Sequence, residues 1–216
     1  MWNHPLYLAV LADPEDDSAR LILADWLEEQ GDSLADFIRV QIAIADAKRR
    51  KQDPATDLQQ REGKLYLKHK NDWLAAFHHQ LAETTDLSVD DASSLLSGVL
   101  YHRGLPAWMG ITIEDLIRCG DALLAIGPWD SIRLDHSSTA TYSELAEWQG
   151  LRQFRVLATQ AYAADVVELI HSPHLHDIKK LSIACPRKEQ TRLAASCRAA
   201  NLPRLQSCRV GQYRVK

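Results

Sequence analysis

The sequence predicts an α+β fold, with a helical region over residues 1–100 and a strand–helix repeat carrying a parallel sheet over residues 101–216. Three observations predict it. An apolar template recurs along the second half, a polar residue separates the apolar strand positions of every copy, and the first half has helical rather than alternating spacing. Composition sets the outer bounds. Hydrophobic residues at 46% and charged residues at 25% are ordinary for a globular protein, and 216 residues can bury a sizeable core. A net charge of -4 argues against a globally basic nucleic-acid binder while allowing a local patch. Apolar runs such as 21–24 and 122–126 are too short to span a bilayer, and Met1-Trp2-Asn3-His4-Pro5 lacks the basic start of a signal peptide. A cytoplasmic location is the expectation.

The template is apolar at positions 1, 4, 7 and 9, and five copies fit it. They are Leu105, Trp108, Ile111, Ile113; Ile126, Trp129, Ile132, Leu134; Trp148, Leu151, Phe154, Val156; Leu175, Ile178, Leu181, Ile183; and Leu202, Leu205, Cys208, Val210. The copies start 21, 22, 27 and 27 residues apart. Positions 7 and 9 point to one face of a strand and position 8 to the other. Helical spacing fills 114–125, 141–148, 161–171 and 187–200, and Pro128, Pro173 and Pro203 end those segments ahead of the next strand. This period, with strand and helix alternating, is that of a short leucine-rich-repeat-type α/β solenoid of about five repeats. The Asn usual in such repeats is absent, a departure that bears on curvature. In a doubly wound α/β sheet the strands would be buried on both faces and read as continuous apolar runs. Here position 8 is Thr112, Arg133, Arg155, Ser182 and Arg209, so one sheet face must be wet.

The first half reads as helices. Residues 5–12 form a short helix broken by Asp13-Pro14, and Asp16 or Asp17 caps a second that runs to about Gln30, with Leu21, Ala24, Trp26 and Leu27 inward and Gly31 at its end. A third starts at Leu34 and buries Phe37, Ile38 and Ile42. After Pro54 a long amphipathic segment covers 56–83, with Leu58, Leu65, Leu67, Trp73, Leu74 and Phe77 as core candidates.

The stretch from Ala12 to Ile44, ADPEDDSARLILADWLEEQGDSLADFIRVQIAI, resembles the bacterial repeat-companion domain. The match rests on Ala24-Asp25-Trp26-Leu27-Glu28-Glu29, Gly31-Asp32 and Phe37-Ile38-Arg39-Val40-Gln41, with Arg103-Gly104 and the 69–74 segment resembling the connecting region of such proteins. The resemblance implies an N-terminal helical cap ahead of a repeat array, often a leucine-rich one. It implies no activity.

Chemistry-bearing patterns are sparse. Asp13, Glu15 and Asp17 alternate like a calcium loop, but Ser18 stands where Gly is required and Ala24 where Glu is required. His171, His174 and His176 have metal-ligand spacing with only Asp177 as a nearby carboxylate. Asp25 and Glu29 lie one helical turn apart, a solvated face or a partner for Arg39. The cysteines Cys119, Cys185, Cys197 and Cys208 form no CxxC pair and read as reduced structural thiols. No GxSxG, Walker-type or HExxH motif occurs. The reading is therefore no enzyme, no cofactor, no metal, no membrane and no evident small-molecule substrate.

The wet sheet face carries the functional expectation. Stacked in register, Thr112, Arg133, Arg155, Ser182 and Arg209 make one row, with Lys180 in the row before. Adjacent Arg133 and Arg155 repel, relieved in part by Asp135, unless a partner offsets them. Arg133, Arg155, Lys180 and Arg209 are thus expected to bind an acidic protein segment on the concave face of a protein–protein interaction module or scaffold. The alternative for the arginines is plain solvation, their stems lying on apolar neighbours. The alternative function is a nucleic-acid-associated protein using Lys48, Arg49, Arg50 and Lys51 with the concave arginines, although a basic helix end is explained by the helix dipole.

Overall fold

The computed structural model describes residues 1–135, 141–160 and 166–215. It is a mixed α/β structure that divides into two compact units. Unit 1 is Met1–Ser93 with Leu100–Ala107 and Ala125–Pro128; unit 2 is Ser94–Val99, Trp108–Leu124 and Trp129–Lys216.

Unit 1 is built on four helices: α1 (Pro5–Ala12), α2 (Asp17–Glu29), α3 (Leu34–Arg49) and α4 (Thr56–Thr84). Pro5 opens α1, where its missing N–H is no loss, and the His4 ring nitrogen Nδ1 accepts from the Leu6 N–H at 3.3 Å. Asp16 caps α2, its carboxylate accepting from the Ser18 N–H at 2.8 Å. Gly31, at φ +72°, ends it in the left-handed region. The helices close over Tyr7, Val10, Leu23, Leu27, Phe37, Ile38 and Trp73, with Leu105 in the same core.

Two expected faces hold in part, with Ala24 and Leu27 on α2 and Trp73 and Phe77 on α4 buried as expected. On α2 the inward stripe is Arg20, Leu23, Ala24 and Leu27, while Leu21 faces water. On α4 the buried residues are Trp73, Phe77 and Leu81, and Leu67 is 72% exposed. A charged residue in the middle of an apolar stripe accounts for the departure on α2. Arg20 is buried in place of a hydrophobe because its guanidinium donates to the Pro14 carbonyl oxygen at 3.1 Å and to the Arg103 carbonyl oxygen at 3.2 Å.

A seven-stranded sheet follows, its strands in chain order: β1 (Leu96–His102), β2 (Leu105–Thr112), β3 (Ser131–Asp135), β4 (Val156–Gln160), β5 (Lys180–Ala184), β6 (Ser207–Val210) and β7 (Tyr213–Val215). Strands β2 to β6 are parallel, and β7 turns back antiparallel to β6. Five of the seven were expected; β1 and β7 lie outside the repeat template. Helices α6 (Ile113–Ile126), α7 (Tyr142–Glu147), α8 (Val166–Ile170) and α9 (Arg187–Ala199) return the chain between successive parallel strands. Residues 161–165, the start of one expected helical segment, lie outside the described residues. A further short helix, α5 (Val89–Leu95), precedes β1. Among the described residues no helix is long and apolar enough to cross a membrane.

Inward side chains stack in two rows. Met109, Ile132, Leu157, Leu181 and Cys208 form one; Ile111, Leu134, Thr159, Ile183 and Val210 form the other. The expected strand pairs hold in β3, β5 and β6. In β2 the pair is Met109 and Ile111, two residues earlier than expected. In β4 it is Leu157 and Thr159, three residues later, because a 3-10 helix (Gln149–Gln153) and buried Phe154 occupy the approach. Inward Thr159 is tolerated because its hydroxyl lies 2.6 Å from the Tyr142 hydroxyl, which donates to the Gln160 carbonyl oxygen at 2.9 Å.

The turn between β1 and β2 is a tight one. Arg103 has φ 52° and Gly104 φ 83°. A Cβ on Gly104 would stand 2.5 Å from the Ile38 Cα, closer than real atoms approach. Gly104→Ala is expected to destabilise the protein by at least about 2 kcal/mol, read as a fall in the denaturant midpoint. Thiol chemistry offers a separate check on unit 2. Cys119, Cys197 and Cys208 are buried and Cys185 is half-buried. Burial pushes the Cys119 and Cys185 thiols up, and a hydrogen bond to Cys208 together with burial pushes Cys197 up. In a disulfide-exchange assay on the native protein at mildly alkaline pH, Cys185 is expected to react first and the other three only on unfolding.

Candidate functional site

Alternation along the parallel strands of unit 2 sends every second side chain to the face opposite the core. The observed register sets three outward rows. Trp108, Ser131, Val156, Lys180 and Ser207 form the first, and Gly110, Arg133, Ala158, Ser182 and Arg209 form the second. In the third, Thr112 stands beside Asp135 and Gln160 beside Ala184. Two placements differ from expectation. Thr112 shares the face but lies one pleat beyond Arg133. Arg155 is not a neighbour of Arg133: the late start of β4 puts Ala158 there and leaves Arg155 before the strand, opposite Asp130. The Arg155 N–H donates to the Asp130 carbonyl oxygen at 2.8 Å, and its side-chain Nε lies 3.8 Å from the Asp130 carboxylate.

The face has two chemically distinct ends. At the β2–β3 end the polar groups satisfy one another. Arg133 donates through Nε to Asp135 at 2.9 Å and through Nη2 to the Ser97 hydroxyl at 3.0 Å, and the Ser97 hydroxyl donates to the second Asp135 oxygen. The Arg133 guanidinium also sits 5.1 Å from the centre of the Trp108 ring, a cation–π contact. This arginine is committed within unit 2.

Toward β5–β7 the face is more exposed, and its charge is of one sign. Lys180 stands beside Ser207, Ser182 beside Arg209, and Arg209 opposite Arg214 of β7. All three cations are exposed, and none has a carboxylate within ion-pair reach among the described residues. Arg214 was missed because β7 follows the last template copy and no periodic signal marks it. The expected set Arg133, Arg155, Lys180 and Arg209 therefore splits. Lys180 and Arg209 are available, with Arg214 added, while Arg133 and Arg155 are held beside carboxylates.

The other patterns of interest are dispersed. Glu15 and Asp17 lie 3.3 and 3.4 Å from Arg103, and Asp17 also pairs with Arg49 at 2.7 Å. His174 Nδ1 accepts from Arg152 at 3.1 Å, His176 lies 3.3 Å from Asp177, and Asp177 pairs with Arg204 at 2.8 Å. No group of three His, Cys, Asp or Glu among the described residues could hold a metal ion. Asp25 and Glu28 both accept from Arg39, at 2.7 and 2.8 Å, while the basic 48–51 run is partly engaged through Arg49. Comparison with protein families, with curated proteins and with solved structures finds no match.

Because Arg133 and Asp135 both remain water-accessible, their pairing contributes little to stability. Asp135→Asn is expected to lower unfolding free energy by less than about 1 kcal/mol in a denaturant titration.

Proposed function

We propose that this chain is a non-enzymatic protein–protein interaction module whose second unit is a short leucine-rich-repeat-type solenoid. Its outward sheet face receives an acidic protein segment at the β5–β7 end. The observation that carries the reading is the triad of Lys180, Arg209 and Arg214 on adjacent strands, exposed and without a carboxylate partner among the described residues. Arg209 and Arg214 are directly opposed, an arrangement that disfavours folding unless an anion offsets it. Two planar guanidiniums side by side suit carboxylates, which each can grip through two N–H groups. Ser182 and Ser207 add hydroxyl donors beside them.

Two further features support the solenoid reading. The parallel strands follow strict chain order, each connected to the next by a helical return, as stacked repeats would be. The resemblance of residues 12–44 to the repeat-companion domain fits a repeat array downstream of it. We place the protein in the cytoplasm, where thiols such as Cys197 and Cys208 stay reduced.

The test is a titration of the full chain with a glutamate-rich peptide and with a single-stranded oligonucleotide of equal charge, at several salt concentrations. The peptide is expected to bind with modest salt dependence. Changing Lys180, Arg209 and Arg214 together to Ser should weaken it about tenfold or more, whereas Arg133→Ser should leave it within about twofold. Undiminished peptide binding by the triple variant would overturn the reading. So would preferred, steeply salt-dependent binding of the oligonucleotide, which would favour the nucleic-acid alternative.

A further inference from the structure

We propose that unit 1 carries a second, separate site: a small aromatic pocket that takes an alkylammonium group, a methylated or quaternary amine on an apolar stem. The cavity measures about 220 Å³ and is lined by Trp2, Leu34, Trp73, Tyr101, Leu105 and Asp32, among others. That volume is below the range of pockets for drug-sized ligands and suits one head group.

The aromatic walls are held by the protein itself. Trp73 donates its indole N–H to the Ser33 hydroxyl at 3.3 Å, and its ring lies 4.7 Å from Phe37 and 5.9 Å from Tyr101, centre to centre. Trp2 is fixed edge-on against Tyr7 at 5.1 Å and Phe77 at 5.8 Å. Rings ordered by their own contacts bind without a further loss of side-chain entropy. Burial raises the Tyr101 hydroxyl's pKa, so the phenol stays neutral and adds an aromatic surface rather than a charge.

The sign of the charge selects the ligand. Asp32 lies just ahead of α3 and is held by a turn bond, its carboxylate accepting from the Leu34 N–H at 2.9 Å. Its carboxylate has no cation within ion-pair reach among the described residues. The two acidic neighbours that share a shallow surface depression with it are both neutralised, Glu28 by Arg39 at 2.8 Å and Asp36 by Arg61 at 3.0 Å. Aromatic faces attract cations through their quadrupole, and a methylated ammonium matches both the rings and the carboxylate. An anion would be repelled by Asp32, and a neutral apolar group would leave its charge unused.

The adjacent cavity, lined by Phe37, Glu62, Tyr66 and Tyr101, is less suited. Its carboxylate already accepts from Gln41 at 2.9 Å, and Lys70 already sits 5.7 Å from the Tyr66 ring centre.

The experiment titrates the full chain with choline and with its neutral carbon isostere, in which a carbon atom replaces the charged nitrogen, following the indole N–H resonances of Trp2 and Trp73. Choline is expected to shift them saturably, and the isostere to bind about tenfold more weakly. Asp32→Asn keeps the oxygen that accepts from the Leu34 N–H and removes the charge. It should reduce choline affinity about tenfold and leave the isostere unchanged. Equal binding of choline and isostere by the unaltered chain would overturn the proposal and leave an apolar pocket only. No saturable shift, or undiminished choline binding by folded Asp32→Asn, would overturn it as well. None of these outcomes depends on the sheet face of unit 2.

Discussion

The constraint on which unit 1 depends most is the burial of Arg20 beneath the turn that joins β1 to β2. A charge 3% exposed in the middle of an apolar helix face is expensive to desolvate, and burial pushes its pKa down to about 10. It remains charged at neutral pH, and its donors are spent on the Pro14 and Arg103 carbonyl oxygens. Arg103 is drawn in beside it. Glu15 and Asp17 offset the two like charges, and Asp17 extends the network to Arg49 at the end of α3. The backbone at Arg103 and Gly104 then has to take positive φ, with Gly104 against Ile38 and its N–H donating to Gln41 at 2.7 Å. Two helices, the loop before α2 and the turn are thereby held by polar contacts that have geometric specificity, while the surrounding aliphatic and aromatic core supplies the bulk of the stabilisation.

Unit 2 works by different physics. Its parallel strands bury two rows of side chains against the returning helices, and the opposite face is left to water. That face is not uniform. Ser97, Trp108, Arg133 and Asp135 form a closed polar cluster at one end, so their charges cancel locally. At the other end three cations share a small area with serines and no described counter-charge. This asymmetry, rather than the overall count of arginines, distinguishes the β5–β7 end as the place for an acidic partner in the proposed function.

Much of this was readable in the residue pattern. The parity of β3, β5 and β6 followed from Ile132 and Leu134, Leu181 and Ile183, and Cys208 and Val210, because alternation is a local property. Register was not local. Whether Arg155 or Ala158 stands beside Arg133 depends on how many residues the 3-10 helix and Phe154 consume before β4, and the apolar spacing of Phe154 and Val156 mimicked a strand pair. Arg20 was invisible for a related reason: an arginine at a core position makes sense only once the Pro14 and Arg103 carbonyls are known to face it. The aromatic pocket could not be foreseen, since Trp2, Asp32, Trp73 and Tyr101 come from four distant segments.

By itself, then, the sequence determined the α+β character, the order of the main helices and of the five parallel strands, several helix ends, and the wetness of one sheet face. Each of these follows from periodicity or from local backbone preference. The tertiary structure alone decided which cations are paired and which are free, which arginine is buried, and which aromatic rings meet around one carboxylate. Those outcomes depend on register and on contacts between residues far apart in the chain, where the energy of a charge is set by its neighbours in space.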